Sequence, residues 1–108
     1  MLANFKTPKV KNKKHLRFVA SLPCVICRRT DVQAAHIRSG NGAGVGMKSG
    51  DDCTIPLCIT CHRKQHESNE RTWWEAYGGI EKATALAKTL YAHTGDSLQA
   101  LQEIARFR

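Results

Sequence analysis

Residues 56–66 read PLCITCHRKQH, which sets Cys58, Cys61, His62 and His66 within nine positions. All four side chains are common metal ligands. A second CxxC pair, Cys24 and Cys27, lies upstream, with thirty residues between Cys27 and Cys58. Two such knuckles offer four thiolates from two tight turns, the donor set of a closed tetrahedral zinc site, and sites of that kind are structural. The competing reading is a set of reduced core cysteines. A redox CxxC would need a parallel strand–helix–strand setting, and neither pair has one. Cys53 stands alone and reads as a small buried residue.

His62 and His66 are four positions apart, which puts both imidazoles on one face of a helix within reach of a single ion. A metalloprotease helix carries glutamate after its first histidine, and here that position is Arg63. A two-cysteine, two-histidine finger needs roughly a dozen residues between cysteine and histidine, whereas Cys61 and His62 are adjacent. Neighbouring side chains point in different directions, so the spacing predicts two sites back to back. Cys61 closes the structural zinc; His62 and His66 open a second, incomplete site. Open coordination is what catalysis requires. His36 is the third histidine of interest. A lone histidine on a strand is ordinarily a hydrogen-bonded structural residue, but the order of elements can bring this one beside the His62/His66 face.

The elements that must position these groups follow from the local pattern. The stretch 1–14 is basic and poor in apolar residues, and reads as a flexible arm. HLRFVASLP reads as a short helix with Leu16, Phe18, Val19 and Leu22 as its apolar members, stopped by Pro23. DVQAAHI reads as a strand with Val32, Ala34 and His36 on one face. RSGNGAGVGMKSGDD holds five of the eight glycines and must be a loop. Its spacing fits neither a P-loop nor GxGxxG, though it can offer backbone N–H groups and Lys48 to a phosphate. CTIPLC reads as a second strand, and ITCHRKQHESNE as a turn running into a helix. RTWWEAYGG and IEKATALAKTLYAHTG read as helices, the second with Ile80, Ala83, Ala87, Leu90 and Tyr91 at helical spacing and Gly95 at its end. Asp96 with Gln99 suggests a capping box for a last helix. Trp73, Trp74 and Tyr77 could stack on bases, but read as core in so small a chain. The expected class is α+β, one domain over 15–108, with its core at 24–66 and helices over 70–108.

With 108 residues, a hydrophobic core alone is marginal, and a metal staple is a common remedy. The net charge of +8 is uneven. Residues 1–20 hold six basic side chains and no acid; residues 21–66 hold six basic and three acidic; residues 67–108 hold five basic and six acidic. Basic surface around metal ligands suits a polyanion such as nucleic acid, against the plainer reading of a solubilising tail. Arg38, Lys48, Arg63 and Lys64, close in sequence to the histidines, are the candidate phosphate contacts. No run of apolar residues is long enough to span a membrane, and no secretory signal is evident. Cysteine pairs without such a signal predict a reducing, cytoplasmic setting.

Taken together, AHI, a loop, and then IPLCITCHRKQH resemble the HNH endonucleases, whose core is the ββα-metal fold. The paired CxxC knuckles match the members that carry a four-cysteine zinc. The stretch AAHIRSGNGAGVGMKSGDDCTIPLCITCHRKQH is most similar to phage and prophage members, the YbcO-like and Ref-like nucleases. The resemblance covers residues 24–66. It implies that His36 is the general base toward water, a role a neutral imidazole suits near pH 7. It implies that His62 ligates a divalent catalytic ion (Mg2+, Mn2+, Ni2+ or Zn2+), with His66 as a second helix ligand. The ion would stabilise charge on the leaving oxygen, and the products would be a 3′-hydroxyl and a 5′-phosphate. DNA is the implied partner, with phage recombination or packaging proteins as further ones. Two positions depart from the family pattern. Ala35 stands where a metal-binding Asp or His is usual. Cys53 stands where an asparagine usually braces the loop that holds the base, with Asp51, Asp52 and Thr54 as candidate substitutes. These departures favour an alternative, a non-catalytic zinc-stapled module that binds nucleic acid or a recombination partner.

Overall fold

The computed structural model describes residues 10–38, 50–67 and 69–107. Most of the glycine loop, with Lys48, and the first nine residues lie outside the described residues. The order is α1 (Lys13–Ala20), β1 (Val32–His36), β2 (Thr54–Cys58), α2 (Ile59–Glu67), α3 (Glu70–Glu75), α4 (Ile80–Ala92) and α5 (Ser97–Phe107). The class is α+β, with a two-stranded sheet and five helices among the described residues.

Helix α1 begins earlier than its apolar pattern suggests. Asn12 is the N-cap, and its side-chain oxygen accepts the His15 backbone N–H at 2.9 Å, which satisfies one of the orphan donors of the first turn. The helix therefore starts inside the segment read as an arm. The residues it buries are His15 and Val19. Leu16 is half-buried, and Leu22, although buried, lies past the helix end.

The strands pair antiparallel, with Val32 opposite Cys58 and His36 opposite Thr54. A lone two-stranded sheet is marginal in water, so this one is enclosed by helices. α1 packs against both strands and α4 against β2, and every residue of β2 is buried. Pro56, in the middle of β2, has no N–H to give. Its carbonyl accepts the Val25 N–H at 3.0 Å, which ties the first knuckle to the sheet. Leu57, Ile55 and Ile37 join Trp74, Ile80 and Leu90 in one core.

Trp74 is fully buried, in edge-on contact with Trp73 and Phe107, while Trp73 and Tyr77 are half-buried against the core. The aromatic group thus packs as core. Gly78 and Gly79 have φ of +102° and +98°, a conformation side chains rarely adopt, and they let the chain reverse from α3 into α4. Asp96 caps α5 by accepting the Gln99 N–H at 3.1 Å. The Gln99 side chain turns instead to Glu103, at 2.9 Å, so only one half of the expected capping box forms. At the far end of α5, Arg28 donates to the Ile104 carbonyl and Lys82 to the Phe107 carbonyl. Cations are favoured at that end of a helix dipole, and Arg28 thereby joins the last helix to the first knuckle. No helix among the described residues is long and apolar enough to cross a membrane.

Candidate metal centre and the adjoining histidine site

Cys24 and Cys27 follow α1, Cys58 ends β2 and Cys61 sits in the first turn of α2. Their sulfurs all lie within 4.8 Å of one another, and Cys27 Sγ is 3.5 Å from Cys58 Sγ. That is far beyond a disulfide bond, and all five cysteines are free thiols. Around a tetrahedral ion with metal–sulfur bonds of about 2.3 Å, sulfurs stand about 3.8 Å apart. The donor set therefore fits a metal, and four cysteines from two CxxC segments can hold one. The backbone is arranged for thiolates. Ile26 N–H donates to Cys24 Sγ and Cys61 N–H to Cys58 Sγ, both at 3.4 Å. Burial alone would raise the Cys58 thiol, but the Cys61 N–H and the neighbouring thiols that donate to it bring it below its usual value. Burial and the neighbouring sulfurs push Cys61 the other way. The turn of the first knuckle runs through Arg28, whose φ is +66°. Its side chain donates to the Val25 carbonyl at 2.6 Å.

His62, next in the chain to Cys61, enters a different constellation. Its Nδ1 is 2.7 Å from Gln33 Oε1. An amide oxygen only accepts, so Nδ1 carries the proton and Nε2 keeps its lone pair. His66 Nε2 stands 3.0 Å from His62 Nε2. Two imidazole nitrogens sharing a tetrahedral ion at about 2.1 Å would stand about 3.4 Å apart, so a small rotation of the exposed His66 ring suffices to fit one. Burial lowers the His62 pKa, and His66, His36 and Arg38 lower it further. All four effects favour the neutral ring that a metal ligand must be.

His36 does not converge with that pair. The four cysteines are the only group of three or more metal-ligating side chains drawn this close among the described residues. The reason is strand alternation. Positions 33 and 35 share one face of β1, and Gln33 reaches His62 from it. His36 projects from the other face, where its Nε2 meets Asp51 Oδ1 at 2.9 Å. His36 is still near enough for its charge to act on His62. Ala35, on the Gln33 face, is fully buried in the core and offers no donor.

Of Asp51, Asp52 and Thr54, Asp51 is the one whose side chain bonds the His36 ring. Thr54 Oγ1 instead donates to the Asp51 carbonyl at 3.3 Å. Burial would raise the Asp51 pKa, but hydrogen bonds from His36 and the Asn12 backbone N–H outweigh it and hold the carboxyl below its usual value. Arg38, Arg63 and Lys64 are exposed. The backbone N–H of Arg38 lies 3.2 Å from both carboxylate oxygens of Glu70, and Glu70 also accepts from the buried Gln65 at 3.0 Å. This network joins the end of β1 to α2 and α3. Gln33 was not singled out in the sequence. The signal available there is its place on the strand face shared with Ala35.

No curated protein and no solved structure matches the chain. A family model described as "Protein of unknown function (DUF968)" matches residues 1–93, a span that takes in both knuckles, His36, His62, His66 and the sheet. By that match the chain belongs to the DUF968 family.

Proposed function

We propose that this protein is a metal-dependent endonuclease that hydrolyses DNA through an HNH-type site, with the four cysteines holding a structural zinc. The observation that carries the reading is the division of labour among the histidines. His36, at the end of β1, is paired with a carboxylate (Asp51). His62 and His66, on α2, have their Nε2 atoms 3.0 Å apart. The HNH resemblance implies a base histidine and a metal-binding pair on consecutive strand, strand and helix, and that order is present; it also implies that the three converge, whereas His36 is turned to Asp51 rather than to the His62/His66 pair.

In this reading His36 acts as general base through Nδ1. With Nε2–H donated to Asp51, Nδ1 has the free lone pair. It takes a proton from water as the water oxygen attacks phosphorus, the P–O3′ bond breaks, and the departing 3′ oxygen is protonated by solvent. A divalent ion held by His62 and His66 would supply charge stabilisation at the leaving oxygen. Gln33 fixes the tautomer of His62, as outer partners of metal-binding histidines do. Arg38, Arg63 and Lys64 would meet the phosphates, and the basic N-terminal third supports a polyanionic partner.

The test is plasmid nicking with Mg2+, Mn2+, Ni2+ or Zn2+, wild type against His36→Ala. Cleavage lost in the variant supports the assignment. Equal cutting by both proteins, or none by either under any metal, sinks it. A second reading, a zinc-stapled module that binds nucleic acid without cutting it, is favoured by the burial of Ala35 in the usual ligand position. Binding that survives His36→Ala and His62→Ala, without cleavage by wild type, would select it.

A further inference from the structure

We infer that Asp51 is the positioning residue for His36, and that the backbone of residues 10–12 is the clamp that holds Asp51. The inference rests on the nuclease reading for what His36 does, but not for how His36 is held.

The geometry is a closed set of contacts. Asp51 Oδ1 meets His36 Nε2 at 2.9 Å. Oδ2 accepts the Asn12 N–H at 2.8 Å. The Asp51 N–H donates to the Val10 carbonyl at 2.8 Å. The carboxylate is thus gripped by segments 15 and 39 residues away in sequence. Gly50 permits the approach. A Cβ there would lie 2.8 Å from the Val10 nitrogen and 3.2 Å from its carbonyl oxygen, inside ordinary contact with backbone that cannot swing aside. The segment that reads as the end of a basic arm is therefore docked onto the residue that orients the base. Exposed Lys11, Lys13 and Lys14 stand at the same place.

Only a carboxylate satisfies both contacts. An ionised Asp accepts on both oxygens, whereas an amide accepts on one side and donates on the other. In Asp51→Asn, the NH2 must face either the Asn12 N–H or His36 Nε2. The first choice releases the clamp. The second forces the proton of His36 onto Nδ1 and removes the lone pair from the atom assigned as base. Asp51 therefore fixes His36 as the Nε2–H tautomer.

The experiment is 15N NMR of the His36 ring in full-length, zinc-loaded protein, with hydrogen exchange of the Asn12 amide and steady-state nicking run alongside. Wild type should show the Nε2–H tautomer and a slowly exchanging Asn12 amide. Folded Asp51→Asn should show either the Nδ1–H tautomer or an Asn12 amide exchanging at least tenfold faster. In nicking, kcat should fall about ten- to a hundredfold while KM stays within about twofold, a part of the roughly 10²–10⁴-fold that general-base catalysis supplies. Gly50→Ala, which leaves the carboxylate in place, should speed Asn12 exchange and mix the His36 tautomers. It decides the matter if Asp51→Asn does not fold. An unchanged tautomer together with unchanged Asn12 exchange in either folded variant overturns the inference. Loss of nicking in wild type would refute the nuclease reading, and the NMR result would still decide how His36 is held.

Discussion

Cys61 and His62 share a peptide bond yet serve different constellations: the Cys61 sulfur joins Cys24, Cys27 and Cys58, while His62 Nδ1 bonds Gln33 across to β1. The first turn of α2 therefore sends two neighbouring side chains to different partners. Side chains one position apart on a helix diverge by about 100°, and β2 delivers Cys58 directly into that turn.

Cys58→Ser should cost the fold its metal staple. Structural zinc binding is coupled to folding and is worth about 10–16 kcal/mol in small zinc domains. The variant should lose stoichiometric zinc by elemental analysis and show no cooperative melt at 37 °C. Zinc retained at one per chain with unchanged melting would exclude the four-cysteine site.

His62→Ala should behave in the opposite way. The fold and the cysteine-bound ion should persist, with stability changed by no more than about 1 kcal/mol, while calorimetric titration with Mn2+ or Zn2+ loses the second binding event. Collapse of the fold in this variant would assign His62 to the structural ion instead.

Gln33→Ala tests the support of that ligand. Removing an outer partner of a metal-binding histidine weakens binding about 10–100-fold, so the second site should lose affinity in that range with the first untouched. Undiminished affinity would make the 2.7 Å contact incidental.

His15 gives a pH dependence. It is fully buried, bonded through Nδ1 to Thr94 Oγ1 at 2.7 Å and edge-on to Tyr91. Burial lowers its pKa, against a smaller opposing pull from Asp51 and Asp52. The unfolded chain then binds more protons than the folded one below the reference value of 6.5, so this group's contribution is present above that pH. It falls away as pH drops through 6.5 toward the lower folded value. His15→Phe cannot titrate. In urea melts of the zinc-loaded proteins, the stability difference, wild type minus variant, should shrink between pH 7.5 and pH 5. Protons linked to the cysteines cancel in that difference, and a constant value across the range would contradict the assignment.

Asp96→Ala should remove the cap of α5, at a cost of about 1 kcal/mol and a fall in Tm of about 4 °C. Gln99→Ala should cost less, because its side chain does not complete the box.

Local pattern carried the element order. The glycines at 78, 79 and 95, the apolar spacing of α4, the twin CxxC knuckles and the four-residue step from His62 to His66 are short-range features, and short-range physics suffices to read them. Helix α1 starts before its apolar pattern because a single cap, Asn12, rather than a periodicity, sets its first turn. It buries His15 beside Val19; His15 is polar by type, and its Nδ1 meets Thr94 Oγ1, 79 positions away.

The amino-acid sequence by itself determined the ligand inventory, the α+β order and the divergence of Cys61 from His62, since each depends on residue type and on separations of a few positions. Tertiary structure decided the partners. The register that sets His36 opposite Thr54 directs Gln33 to His62 and His36 to Asp51. The docking of residues 10–12 on Gly50 and Asp51 selects that carboxylate over Asp52. Such contacts close loops of 15 to 39 residues, and a chain's local preferences cannot specify which distant polar group completes a hydrogen bond; the packed fold, which brings those groups together, does.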